Sequence, residues 1–196
     1  MTVKLVLATS NRGKVKEIKA MYSDFDVVAY SELIEPFDIV EDGADFKSNA
    51  LIKARAVYEA LDDDNVIVIA DDSGISVDAL EGAPGIYSAR YAGAGASDKE
   101  NLQHLIDNLK AKGVDSSPAH YTAAIAIVSA AAEETVHGWM YGRAVTTPQG
   151  EGGFGYDPMF IPLGFEQTLG ELSSEVKERL SHRSKALALA KIMLQR

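Results

Sequence analysis

Apolar positions along the chain alternate between short continuous runs and helical spacing. The first run, Val3–Ala8, is short and rich in Val and Leu, as suits a buried strand. After the stretch Thr9–Lys14, Val15, Ile18 and Met21 or Tyr22 recur at helical spacing, predicting a helix. Asp26–Tyr30 reads as a second strand. Over Asp45–Leu61, Phe46, Ala50, Ala54, Val57 and Leu61 share one face of a predicted helix. Asn65–Ala70 is an unbroken apolar run, the pattern of a strand buried on both faces. GAPG, Gly82–Gly85, is a turn by composition. The clearest helix follows. Ser97 and Glu100 form a capping box, Leu102, Leu105, Ile106 and Leu109 make its stripe, and Gly113 ends it. HYTAAIAIVSA and TVHGWMYGRAVT read as two strands of a hairpin or meander. TPQGEGGFGYDP, dense in Gly and Pro, reads as loop. A last helix runs from about His182 to Leu194, with Ser181 as its N-cap. This alternation predicts the α/β class. No repeat, low-complexity tract or linker interrupts it, so residues 1–196 read as a single domain.

Length and charge narrow the partners. A chain of 196 residues can bury one sizeable core, with room for two lobes. The net charge of -10 argues against nucleic acid as the main partner, since phosphate contacts need a surplus of Lys and Arg. A small polyphosphate stays open, because local lysines and a metal can reverse the sign. With no cysteine, disulfides and thiolate metal sites are excluded. VKLVLA is too short for a signal-peptide core and no apolar run is long enough for a membrane span, so the expectation is a cytoplasmic protein with no membrane partner.

Several stretches could carry chemistry. Thr9–Lys14 joins the first strand to a helix N-terminus, where unpaired N–H groups suit anions. It is no Walker A loop, since Ala8 and Val15 stand where Gly and Ser or Thr belong. On these residues alone an ordinary turn with a solvated lysine is the more common reading, since most loop lysines are just that. Asp71 and Asp72 end an apolar run beside Gly74, and two carboxylates there suit Mg²⁺. Strand neighbours point to opposite faces, so only one of them aims at a given ligand unless the strand has already turned. Asp-Asp-Ser-Gly is also good turn chemistry. Glu41 and Asp42, before Gly43, form a second acidic loop. Phe154 and Tyr156, set among glycines, could stack on a nucleobase or plug the core. Ser181–Arg183 brings two donors to a helix start, where basic residues oppose the dipole.

Together these stretches resemble one family over nearly the whole chain. ATSNRGKVKEI, EDGADFKSNALIKAR, IADDSGISVDALEGAPGIYSARYAG, GGFGYDPMF and SHRSKAL are similar, in order, to motifs of the non-canonical purine nucleoside triphosphate pyrophosphatases, the inosine triphosphatase-like family. Ser10 stands where many relatives have Gly, and Glu41-Asp42 where some have two glutamates. The resemblance implies an elongated mixed β-sheet flanked by helices, two lobes with a substrate cleft between them, and a homodimer. It implies hydrolysis of nucleotides such as ITP, dITP and XTP to the monophosphate and pyrophosphate, with Mg²⁺. Thr9, Ser10, Asn11, Arg12, Gly13 and Lys14 would hold the triphosphate, with Lys53 adding a second positive charge. Asp72 would be the catalytic carboxylate and a metal ligand, with Asp71 and Glu41 as candidates for the rest of the metal shell. Ser73 would touch substrate, and Phe154, Gly155, Tyr156, Asp157, Lys177, His182 and Arg183 would form the base pocket. Two rival readings are a nucleotide-binding regulator without turnover and a related pyrophosphatase acting on modified pyrimidine or standard nucleotides.

Overall fold

The computed structural model describes residues 4–9 and 11–195. Among these, six strands join in one sheet: β1 (Lys4–Leu7), β2 (Asp26–Ala29), β3 (Val66–Val77), β4 (Ser116–Val128), β5 (Glu133–Val145) and β6 (Phe160–Pro162), in the order β2-β1-β3-β4-β5-β6. β1 pairs in parallel with β2 and β3, whereas β5 and β6 are antiparallel. Residues 129–132 link β4 to β5, too short a connection for a parallel crossover, so that pair is a hairpin. The helices are α1 (Arg12–Met21), α2 (Phe46–Leu61), α3 (Asp98–Ala111), α4 (Ser174–Leu180) and α5 (His182–Leu194).

The chain divides into two compact units. The first comprises Met1–Asp72, Ala123–His137 and Ala186–Arg196, and the second Ser73–Thr122 and Gly138–Lys185. In the first unit, strand alternation sorts the apolar side chains onto two faces. Val6, Val66, Val68, Ala70, Ala124 and Ala126 pack with Ala50, Ala54 and Val57 of α2. Leu5, Leu7, Ile69, Ala123, Ile125 and Ile127 pack with Ile18 and Tyr22 of α1 and with Ala186, Leu187 and Ala190 of α5. Burial on both faces is why these strands read as continuous apolar runs. The Tyr22 hydroxyl, deep in this layer, donates to the Leu187 carbonyl at 2.7 Å.

The second unit has its own core. Ile75 and Val77 of β3, Leu105, Ile106 and Leu109 of α3, Ala119 and Tyr121 of β4, and Met140 and Ala144 of β5 enclose Tyr156, Met159, Phe160 and Leu169. The capping box of α3 forms as expected: the Glu100 N–H donates to Ser97 Oγ, and the Ser97 N–H donates to Glu100 Oε2 at 2.7 Å.

The structure differs from the sequence pattern in three places. β3 does not end at Ala70 but continues through Asp71-Asp72-Ser73-Gly74 to Val77. Its turn chemistry is overridden because apolar alternation resumes at Ile75 and Val77, both wholly buried, in a strand flanked by β1 and β4. The short β6 and the helix α4 were not foreseen. Three residues give no readable period, and α4 buries none of its residues, so it shows no apolar stripe. Among the described residues, no helix is long and apolar enough to cross a membrane.

Candidate active site

In the first unit, a pocket of about 330 Å³ opens at the C-terminal end of β1. It is lined by Ala8, Thr9, Asn11, Lys14, Tyr30, Phe37, Asp38, Ile39, Glu41, Lys53 and Asp71. Ends of parallel strands gather binding sites in α/β sheets, because backbone and helix termini converge there. A larger hollow of about 480 Å³ adjoins it at Thr9, with Lys16, Lys19 and Glu32 as its charged lining.

Local structure aims each charged group. Asn11 caps α1, its Oδ1 accepting the Gly13 N–H at 2.9 Å and the Lys14 N–H at 3.2 Å. The Asn11 N–H in turn donates to Thr9 Oγ1 at 3.2 Å. Arg12 begins the helix, and Ser10 lies outside the described residues. Along β3, alternation sends Asp71 to the face covered by α1 and α5, with Ile69, and Asp72 to the face covered by α2, with Ala70. Each carboxylate meets the lysine of the helix on its own side. Lys14 lies 2.6 Å from Asp71 Oδ2, a carboxylate only 2% exposed. Lys53, on α2, donates to Asp72 Oδ1 at 3.0 Å and to Glu41 Oε2 at 2.8 Å.

The acidic loop is pinned from below. The Gly43 N–H donates to Asn49 Oδ1 at 2.9 Å, and Asn49 is buried within α2. A side chain at position 43 would press on Ser48 and Asn49 at 2.7 Å, so the loop approaches the helix this closely only with glycine. Asp45 caps α2 through the Ser48 N–H at 2.7 Å. These contacts hold Glu41 over Lys53.

One ammonium between two carboxylates sets the electrostatics. Burial pulls the Lys53 pKa down, but Asp72 and Glu41 more than offset it, and the lysine stays charged. Asp72 is held above its ordinary range, first by burial and then by Glu41 and Asp71, which Lys53 counters only in part. Asp72 Oδ2 is buried without a hydrogen-bond partner. Such an orphaned carboxylate oxygen, with Glu41 nearby, fits a hard cation such as Mg²⁺, which takes one or two carboxylates and completes its shell with water and phosphate. Among the described residues, no three His, Asp or Glu side chains group as metal ligands. Asp71 faces the other side of β3, and Lys53 sits between the remaining two.

The second unit holds the other expected site residues. Phe154 stands exposed on its glycine-rich loop, while Tyr156 is buried and its hydroxyl donates to the Ser88 carbonyl at 2.7 Å. The two aromatics thus divide between the alternatives: Tyr156 fills the core and Phe154 does not. The Gly155 N–H donates to Asp98 Oδ2 at 3.0 Å, and the Phe154 N–H to Asp157 Oδ2 at 3.3 Å. Gly153 has φ +91°, and a Cβ there would collide with the Asp157 carboxylate. Burial raises the Asp157 pKa, with the Phe154 N–H and Lys177, 3.8 Å away, opposing it. His182 lies flat against Tyr121, with ring centres 4.9 Å apart and planes 16° from parallel. Arg183 Nη2 donates to Ser73 Oγ at 3.0 Å. The Ser184 N–H donates to Ser181 Oγ at 3.2 Å, the cap expected for α5.

Sequence reasoning missed Tyr30, Phe37, Asp38 and Ile39 on the pocket wall, and Asn49 and Asp98 as anchors of the loops. Asn49 left one signal, an amide in the midst of an apolar helix face. The segment that carries Phe37 to Ile39 has no regular structure and hence no period to read.

A charge-lined pocket at the end of parallel strands, with paired lysines and carboxylates and few apolar walls, defines an α/β protein that accepts a small, highly charged ligand. Comparison with known proteins makes this specific. The chain belongs to the Ham1 family, whose model matches residues 5–192. It is similar to the dITP/XTP pyrophosphatase of Sulfurimonas denitrificans, 64% identical over 98% of this chain and 99% of that one. It also resembles the dITP/XTP pyrophosphatase of Campylobacter jejuni, 52% identical over 98% of each chain. Among solved structures, the Ham1 protein of Staphylococcus aureus matches with a TM-score of 0.89 and 38% identity over 98% of each chain.

Proposed function

We propose that this chain hydrolyses non-canonical purine nucleoside triphosphates (ITP, dITP and XTP) between the α and β phosphates, releasing the monophosphate and pyrophosphate. The observation that carries the reading is the pocket lined by Lys14, Lys53, Glu41 and Asp71, together with the Asp72 carboxylate that Lys53 bonds at 3.0 Å. Relatives named dITP/XTP pyrophosphatase, alike over almost their full length, support it. Lys14 and Lys53 turn from their carboxylates to the phosphate oxygens as charge-assisted donors. Thr9, Asn11 and Gly13 shape the loop around them, with Ser10 and Arg12 in the same segment. Glu41 and Asp72 would hold Mg²⁺, which when bound would neutralise phosphate charge. Asp71 lies on the opposite face of β3, where it steadies Lys14. Asp72 positions the attacking water in line with the scissile bond and accepts its proton.

The second unit reads the base. Phe154 offers an exposed ring for stacking, and Asp157, Lys177, His182 and Arg183 supply polar groups beside Tyr156, Gly155 and Ser73. Donors facing the purine 6-position favour an oxygen there over the amine of adenine. The net charge of -10 opposes nucleic acid as substrate, and the reading is of a homodimer acting on the cytoplasmic nucleotide pool. The test is a panel of nucleoside triphosphates assayed for pyrophosphate with and without Mg²⁺. Pyrophosphate equal to monophosphate, fastest with inosine and xanthosine nucleotides, is expected. Orthophosphate as the first product, or a preference for pyrimidine nucleotides, would overturn the reading.

A further inference from the structure

Lys53 has an unusual position for a phosphate-binding lysine. Its side chain is only 14% exposed, and its ammonium is shared by Glu41 Oε2 at 2.8 Å and Asp72 Oδ1 at 3.0 Å. The pocket wall as a whole bears Lys14 and Lys53 against Asp38, Glu41 and Asp71, one more carboxylate than ammonium. A bare triphosphate therefore meets no net positive charge there, and a divalent ion meets carboxylates that already have a cation. Lys14 is similarly engaged, at 2.6 Å from Asp71.

We propose that Lys53 is an internal counter-cation that competes with the divalent metal for Glu41 and Asp72, so that the metal is held tightly only when a phosphate group draws the ammonium away. The inference rests on the metal-dependent reading above and adds to it a coupling between metal and phosphate. The ammonium keeps two partly buried, mutually repelling carboxylates in place. When phosphate arrives, it offers Lys53 a new anionic partner, and the oxygens of Glu41 and Asp72 are released together. Lys53 takes one oxygen of each carboxylate, Glu41 Oε2 and Asp72 Oδ1, while Asp72 Oδ2 is buried without a hydrogen-bond partner. Lys53 is in this sense a positioning residue. It keeps the metal ligands in register and prevents the site from filling with metal alone.

A clamp closed nine-tenths of the time weakens apparent metal affinity about tenfold, since only the open fraction binds. The experiment counts free Mn²⁺ by its electron paramagnetic resonance signal while titrating the nucleotide-free protein. Lys53→Met, which removes the charge, should bind Mn²⁺ about 10-fold or more tightly than the unmutated chain. Lys53→Arg, which keeps a cation, should not. Equal or weaker Mn²⁺ binding by a folded Lys53→Met would overturn the proposal.

Should Lys53→Met fail to fold, the unmutated chain decides. Its lysine ammonium nitrogens, labelled with ¹⁵N, should show the Lys53 signal unmoved by Mg²⁺ alone and displaced once inorganic pyrophosphate is added with it. Displacement by Mg²⁺ alone over the same concentrations would refute the competition. These outcomes are separate from catalysis: a chain inactive on every triphosphate but gaining Mn²⁺ affinity in Lys53→Met would sink the proposed function and leave the competition standing.

Discussion

Replacing Asp72 with asparagine separates chemistry from folding. The change keeps shape and removes a charge. In the structure, Asp72 Oδ1 accepts from Lys53 at 3.0 Å, and an amide oxygen can still accept there. Turning a charge-assisted hydrogen bond into an ordinary one loses about 1 kcal/mol. Burial already holds this carboxyl above its ordinary range, so removing the charge returns part of that loss. Lys53 also keeps Glu41 at 2.8 Å, so no ammonium is stranded. The net change in stability is therefore within about 1 kcal/mol, a shift of about 2–4 °C in Tm for a chain of this size. Loss of the water-positioning carboxylate should lower kcat about 10²- to 10⁴-fold, equivalent to about 3–5 kcal/mol of transition-state stabilisation. The assay pairs pyrophosphate release from inosine triphosphate at saturating Mg²⁺ with a thermal melt and nucleotide binding by calorimetry. Turnover within a few-fold of the unmutated enzyme would remove Asp72 from the mechanism. A drop of about 10 °C in Tm would instead place the defect in folding.

Lys14→Ala should weaken binding of inosine triphosphate far more than of inosine, and should destabilise the fold by up to about 3 kcal/mol, because it removes the ammonium 2.6 Å from the buried Asp71 carboxylate. Adding Asp71→Asn should recover the stability but not the triphosphate affinity; recovery of both would show that Lys14 acts only as a structural partner. Asp157→Asn should raise Tm at neutral pH. A buried carboxyl with a raised pKa binds its proton more tightly folded than unfolded, so its contribution is most favourable when protonated and falls as pH rises from its ordinary value through the raised one. The two melting profiles should therefore converge below about pH 4 and separate above it. A gap that does not change with pH would show that ionisation of Asp157 does not matter to the fold.

Element type was written locally along most of the chain. The capping box at Ser97 and Glu100, the stripe of α2 and the alanine- and valine-rich strands are patterns a residue makes with neighbours a few positions away. The α/β class followed from their alternation. The motifs from Thr9 to Arg183 pointed to a family, because their order along the chain is specific even where each alone is ordinary turn or cap chemistry. Tertiary structure decided the rest. Whether Asp71-Asp72-Ser73-Gly74 turns or extends depended on strands on either side of it, which no local window contains. Alternation by itself could separate the two carboxylates only once β3 was known to pass through them, and the lysine each one meets depended on which helix covers which face. The sharing of Lys53 between Glu41 and Asp72 joins residues far apart in sequence, through a loop whose position rests on Asn49 and on the missing side chain of Gly43. Such a contact is set by packing and charge balance in a low-dielectric interior, and these exist only after the chain has closed around them.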